Sequence, residues 1–236
     1  HTVYAGSPLV FSIRPDLEAV IFDLDGVITD SAEYHFQAWK KLCDELDIPF
    51  DREFNHNLRG VSRMKSLELL LSRVPDQEFS EEEKVHLATR KNEYYKELIT
   101  QISPDDLLPG IEKLLKEMQS AGIKTALASA SRNAGTIIHQ LQVEHLFDVM
   151  TDPAKLKKGK PDPEQFFMAA EMLQVPTRNC IGVEDAQAGV DAINGAGIFS
   201  VAVGDYLMNA DWKCSSTEEL TLKKLREVFY DRAQSR

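Results

Sequence analysis

The chain has 236 residues, enough for one large domain or two modest ones with a full hydrophobic core. Its 43% hydrophobic and 28% charged residues are typical of an ordinary globular protein, and a formal net charge of −11 argues against a nucleic-acid-binding surface. No apolar run reaches the roughly 20 residues of a membrane span, so neither nucleic acid nor membrane is an expected partner.

Residues 1–17 read as an N-terminal extension without an assigned role. The LVFSI run there lacks the basic start and long apolar core of a signal peptide, and a chain opening on His1 is expected to be processed, truncated or tagged. Val20-Ile21-Phe22 then reads as a buried β-strand. Asp23 and Asp25 arrive where it ends, with Gly26 to let the backbone turn. Two close carboxylates repel, and burial disfavours both charges unless a cation or a shared proton offsets the penalty.

Between Ser31 and about Asp105 there is no convincing strand. AEYHFQAWKKLCDEL (32–46), SRMKSLELLLSR (62–73) and EEEKVHLATRKNEYYKELI (81–99) all show helical spacing. Phe36, Trp39 and Leu42 fall on an inward face there and read as core. Helix and strand alternate from about residue 106: helix 110–122, strand 123–129, helix 133–142, extended 147–152, helix 163–175, strand 180–185, helix 186–197. FSVAVG (199–204) reads as a last strand before a helix near 218–230. Strands that are apolar throughout, separated by helices, predict an α/β fold with a doubly wound, mostly parallel sheet. The expected layout is an α/β core of 18–30 and 106–236, with 31–105 inserted as a helical cap domain. Ligands of such sheets bind beyond the carboxyl ends of the strands, so the insert would lie over the site as a lid. Cys43, Cys180 and Cys214 form no close-spaced motif, and Cys180 reads as a buried thiol; a reducing compartment, the cytoplasm, is expected.

Parallel topology gathers Asp23, Asp25, Ser129, Lys160, Glu184 and Asp185 at one edge of the sheet. Three or more acidic groups with one lysine and one hydroxyl suit a Mg2+ site adjoining a phosphate. An aspartate can attack phosphorus, a second carboxyl can move the proton, and cations can neutralise the oxygens of the transferring group.

DLDGVITD (23–30), ALASAS (126–131), KPDP (160–163) and GVEDAQAG (182–189) together resemble the four motifs of the haloacid dehalogenase-like phosphotransferases. The resemblance spans about Glu18 to Gly204. It implies that Asp23 is the nucleophile and Asp25 the general acid/base, with Ser129 and Lys160 holding the phosphate. It also implies Mg2+ bound by Asp23, the Asp25 carbonyl, Glu184 and Asp185. DLDGVITDSAEYHFQAW (23–39), LRGVSRMKSL (58–67), RKN (90–92) and SASRN (129–133) further resemble the hexose-phosphate mutases of that superfamily, which interconvert β-D-glucose 1-phosphate and glucose 6-phosphate through a bound bisphosphate. This implies small hexose phosphates as partners of a monomer. Arg63 would then hold a distal phosphate, with Arg59, Gly60, Val61 and Ser62 in a loop reaching sugar or phosphate. Ser131, Arg132 and Asn133 would face that phosphate from the core, and His35, Ser66 and Lys91 would belong to the cap's ligand-facing set. Arg59 and Arg132 stand where lysines are usual in the family, and Ser31 where threonine is; charge or hydroxyl is kept in each case.

Plainer roles compete with these. Lys91 lies on a charged helix and could be a solvated face, His35 could be a packed histidine, and Glu184-Asp185 could cap the helix at 186. Two other functions compete as well. A sugar-phosphate or phosphoglycolate phosphatase would share the six core residues but has less need of a second phosphate site. A phospho-acceptor signalling module would leave Asp25 and the helical insert without a role.

Overall fold

The computed structural model describes residues 15–59 and 61–234. β1 (Ala19–Phe22) is followed by four helices, α1 (Ala32–Glu45), the short α2 (Arg52–Asn55), α3 (Arg63–Leu71) and α4 (Glu81–Ile99). Then come α5 (Ile111–Ala121), β2 (Lys124–Leu127), α6 (Ala134–Gln140), β3 (Val149–Met150), α7 (Glu164–Leu173) and β4 (Cys180–Glu184). α8 (Gln187–Gly195), β5 (Phe199–Val203), β6 (Trp212–Cys214) and α9 (Leu222–Gln234) complete the chain. All strand pairings are parallel, in the order β3-β2-β1-β4-β5-β6.

The sheet is buried on both faces because its strands carry apolar residues on both. Val20, Phe22, Ile181 and Val183 point to one face, where they pack with α5, α6 and α9; Ala19, Ile21, Ala126 and Cys180 point to the other, under α7 and α8. FSVAVG is not the last strand. β6 pairs with β5 through three residues, WKC, whose brevity and exposed lysine hide it from a hydrophobicity reading.

Local signals set the helix ends. α4 opens on a capping box between Ser80 and Glu83 with three glutamates in its first turn, and α5 closes on Gly122 in the left-handed region. Phe36, Trp39, Leu42 and Cys43 of α1 pack with Leu67 and Leu70 of α3 and Leu87 of α4 in a cluster of their own. Ala38, on another face of α1, and Tyr95 and Ile99, in the later turns of α4, instead join the apolar cluster of the sheet. The two chain passages between sheet and helical layer are tied together. Thr29 Oγ1 donates to the Asp106 carbonyl at 2.6 Å, and Leu108 N to the Ile28 carbonyl at 2.9 Å.

Candidate active site

The register of three neighbouring strands builds the floor of the site. Phe22 pairs with Leu127 on one side and Val183 on the other, so Asp23, Ser129 and Glu184 emerge at the carboxyl ends of adjacent strands. Asp23 N donates to the Val183 carbonyl at 3.0 Å, and Ala128 N to the Phe22 carbonyl at 2.7 Å, which fixes those exits. Lys160 comes in from the segment before α7. Its Nζ lies 2.9 Å from Asp23 Oδ1 and 2.5 Å from Glu184 Oε2, and donates to the Ala128 carbonyl at 2.8 Å. Burial alone would lower the pKa of Lys160, but the carboxylates of Asp23 and then Glu184 outweigh it and raise it.

Asp23, Glu184 and Asp185 bring carboxylate oxygens within 4.8 Å of one another. Two glycines make the room. A Cβ on Gly26, whose φ is +78°, would fall 1.8 Å from Asp185 Oδ2, and one on Gly189 would fall 1.9 Å from the Glu184 carboxyl carbon. Burial first and Asp23 second push Asp185 up to about 7, and the same two causes hold Glu184 well above the ordinary carboxylate range. Lys160, with the exposed Arg59 guanidinium 3.8 Å from Asp185, does not balance buried Glu184 and half-buried Asp23 and Asp185. An all-oxygen donor set with surplus negative charge fits a hard divalent cation. Glu184 and Asp185 are not the helix cap: that position is Ala186, and no side chain caps α8.

The Asp25 carboxylate stands apart from that cluster and faces Ser31. Ser31 occupies the N-cap position of α1 but makes no capping bond; instead its backbone N donates to Asp25 Oδ1 at 3.1 Å and its hydroxyl to the same oxygen. Tyr95 OH donates to Ser31 Oγ at 3.0 Å. Burial, opposed by the Ser31 bond, raises Asp25 to about 6, in the range where a carboxyl can both give and take a proton near neutral pH.

Beside this chain His35 stacks on Tyr95 at 4.0 Å between ring centroids, and its Nδ1 lies 2.9 Å from Lys91 Nζ. Lys91 is not a solvated face residue. It is 3% exposed, its ammonium lies 4.8 Å from the Trp39 ring centroid, and burial and then Arg63 lower it to about 7. His35 is held below its ordinary range by burial and then by Lys91.

Ser129 is buried and its Oγ accepts from Ser131 N at 3.0 Å; Ser131 Oγ in turn accepts from Asn133 N at 3.1 Å. Arg59 Nη2 reaches to 3.8 Å from Asp185 Oδ2. Arg63 is half-buried, and burial followed by the charge of Arg132 lowers its pKa, so the two guanidiniums share one region. Among the described residues neither is paired with a carboxylate. Val61 is half-buried in the loop before α3. Ser62 is exposed and its hydroxyl caps α3 by accepting from Lys65 N at 3.3 Å, while Ser66 is buried one turn on. Gly60 lies outside the described residues.

Three supporting residues were not apparent from the sequence. Gln165 Nε2 donates to the Ser129 carbonyl at 2.7 Å and to Thr151 Oγ1 at 3.0 Å, and Tyr206 OH to the Asp185 carbonyl at 2.6 Å. Gln165 stands at the head of a largely apolar helix, and only its complete burial in the fold marks it out.

A family model described as haloacid dehalogenase-like hydrolase matches residues 17–197. The chain is 48% identical over 216 residues to the Beta-phosphoglucomutase of Bacillus subtilis (strain 168), covering 90% of this chain and 96% of that one. The crystal structure of beta-phosphoglucomutase from Clostridium difficile superposes with a TM-score of 0.86 at 47% identity, over 92% of this chain and 98% of that one. The Phosphorylated carbohydrates phosphatase of Thermotoga maritima is 31% identical over 90% of this chain and 100% of its own.

Proposed function

The chain belongs to the haloacid dehalogenase-like hydrolase family, and on that footing we propose that it catalyses the β-phosphoglucomutase reaction, converting β-D-glucose 1-phosphate to glucose 6-phosphate and back. The observation that carries the mutase reading over simple hydrolysis is the second cationic region. Arg63 lies near enough to Arg132 to feel its charge, and neither pairs with a carboxylate among the described residues, which suits a second phosphate on the same substrate. Likeness to the Thermotoga phosphatase favours shared core chemistry, at lower identity.

In this reading Asp23 carries the phosphoryl group as an aspartyl-phosphate. Asp25 takes the proton from the C6 hydroxyl of bound glucose 1-phosphate as that oxygen attacks phosphorus, giving β-glucose 1,6-bisphosphate and free Asp23. The bisphosphate turns over. Asp23 then attacks the phosphorus at C1, and Asp25 returns the proton to the departing O1, leaving glucose 6-phosphate. Lys160 and Ser129 hold the transferring phosphoryl oxygens, and Arg63 with Ser131, Arg132 and Asn133 holds the idle phosphate. A divalent cation, Mg2+ in this proposal, would be held by Asp23, Glu184, Asp185 and the Asp25 carbonyl, and would supply charge neutralisation at the phosphoryl oxygens. The helical layer excludes water from the aspartyl-phosphate, so that a sugar hydroxyl is the acceptor. We propose residues 31–105 as this cap, a monomeric working unit and a cytoplasmic location; among the described residues no helix is long and apolar enough to cross a membrane.

The test is intact-mass measurement and peptide mapping after brief exposure to β-glucose 1,6-bisphosphate. One added phosphoryl group on Asp23, absent in Asp23→Ala, is expected; a phosphoryl group elsewhere overturns the assignment.

A further inference from the structure

Helix α6 of the core grips helix α4 of the cap at two points. At its far end Gln140 Nε2 donates to the carbonyls of Thr100 at 3.1 Å and Ile102 at 3.3 Å, in the segment that leads out of α4. At its near end Asn133 Nδ2 donates to Asn92 Oδ1 at 3.1 Å. Between these points Tyr95 and Ile99 of α4 share an apolar cluster with Ala134, Ile137, Ile138 and Leu141. The Gln140 end lies where the chain passes between the layers, already tied by Thr29 and Asp106. The Asn133 end lies against the candidate site, one residue from Lys91.

Asn133 holds the N-cap position of α6, where asparagine is among the most favoured residues because its side chain can accept from the first turn. It makes no such bond. Its amide is turned to the cap instead, as the Ser31 hydroxyl at the start of α1 is turned to Asp25. An asparagine amide carries two N–H groups, so one can hold Asn92 while the other meets an anion. The Asn133 backbone is itself set by Ser131, and Ser131 by Ser129, in an unbroken ladder of hydroxyls.

We propose that Asn92 is a positioning residue that latches the cap to the core, and that the Asn92–Asn133 bond, pivoting on the Gln140 grip, decides whether a sugar hydroxyl or water meets the aspartyl-phosphate. The inference rests on the mutase reading above. A phosphate that engages Asn133 orients its amide for Asn92, so occupancy of the site favours closure. Losing the bond leaves the cap open for more of the time that the phosphoryl group is on Asp23, and water then competes.

Asn92→Leu keeps the volume and removes the acceptor; Asn92→Asp keeps the acceptor. Each is given β-glucose 1-phosphate, Mg2+ and a trace of β-glucose 1,6-bisphosphate, and free phosphate and glucose 6-phosphate are counted together, with thermal melts as a check on folding. For Asn92→Leu the phosphate released per glucose 6-phosphate is expected to rise about fivefold, the weight of one ordinary hydrogen bond, with the wild-type ratio largely kept in Asn92→Asp. An unchanged ratio in Asn92→Leu, or an equal rise in both variants, overturns the latch. A wild type that makes phosphate and no glucose 6-phosphate overturns the mutase reading instead. The latch is then judged by solution X-ray scattering of the protein with bound phosphate: Asn92→Leu is expected to be more extended than wild type, and equal dimensions refute it.

Discussion

Alanine at Gly26 and alanine at Gly189 press on two different carboxylates of the proposed metal site, and comparing them separates the site from the backbone. At Gly26 the new Cβ falls 1.8 Å from Asp185 Oδ2, where ordinary contact begins at 3.4 Å, and the residue also sits at φ +78°. The positive φ alone is worth about 1–2 kcal/mol against any side chain. At Gly189 the backbone is helical and the intrusion is on the Glu184 carboxyl, 1.9 Å away. Each substitution must therefore swing one carboxylate of the cluster, Asp185 or Glu184, out of place. Losing the alignment of one ligand is expected to weaken Mg2+ binding by about tenfold or more, roughly 1.4 kcal/mol. Calorimetric Mg2+ titration of the folded variants, with chemical denaturation in parallel, reads both effects. Gly26→Ala should lose stability and metal affinity; Gly189→Ala should lose metal affinity, with the backbone contribution absent. Two folded variants that bind Mg2+ like wild type would refute the assignment of Glu184 and Asp185.

Arg63→Ala should lower mutase turnover by about ten- to hundredfold, the worth of charge-assisted bonds to a phosphate, while Mg2+ affinity shifts by less than about twofold; unchanged turnover would remove Arg63 from the distal phosphate. Lys91 gives a pH dependence. Burial, with Arg63 adding and Asp25 opposing, lowers it from 10.5 to about 7, and its ammonium faces His35 Nδ1. Between those two values the unfolded chain binds the extra proton, so Lys91 makes folding stability rise with pH from about 7 to 10.5. Denaturant melts of Lys91→Met should show that rise flattened relative to wild type, and a difference independent of pH contradicts the buried-lysine account.

The strands were legible because burial on both faces forces continuous apolar runs, and the floor of the site because a parallel sheet gathers strand ends at one edge. AVIF, CIGVE and FSVAV needed no partner to be recognised. β6 was not legible: a three-residue edge strand has too little apolar content to stand out. Asp23, Glu184 and Asp185 could be grouped from topology alone, but the direction of the Asp25 carboxylate could not, since it depends on a serine hydroxyl that would ordinarily cap its own helix. Lys91 and Gln165 show the same limit. Composition marks both as surface residues, and only the closing of α4 over α1, and of α7 under the sheet, makes them buried. Asn92 stood in the RKN stretch of α4, but its bond to Asn133 at the start of α6 could be seen only in the fold.

The measurement that bears most directly on the mutase reaction uses purified protein, β-glucose 1-phosphate, Mg2+ and a trace of β-glucose 1,6-bisphosphate, with the α anomer and Asp25→Asn as controls. Glucose 6-phosphate should form rapidly from the β anomer with little free phosphate, and Asp25→Asn should abolish it. Free phosphate without glucose 6-phosphate would contradict the account and leave a phosphatase built on the same core.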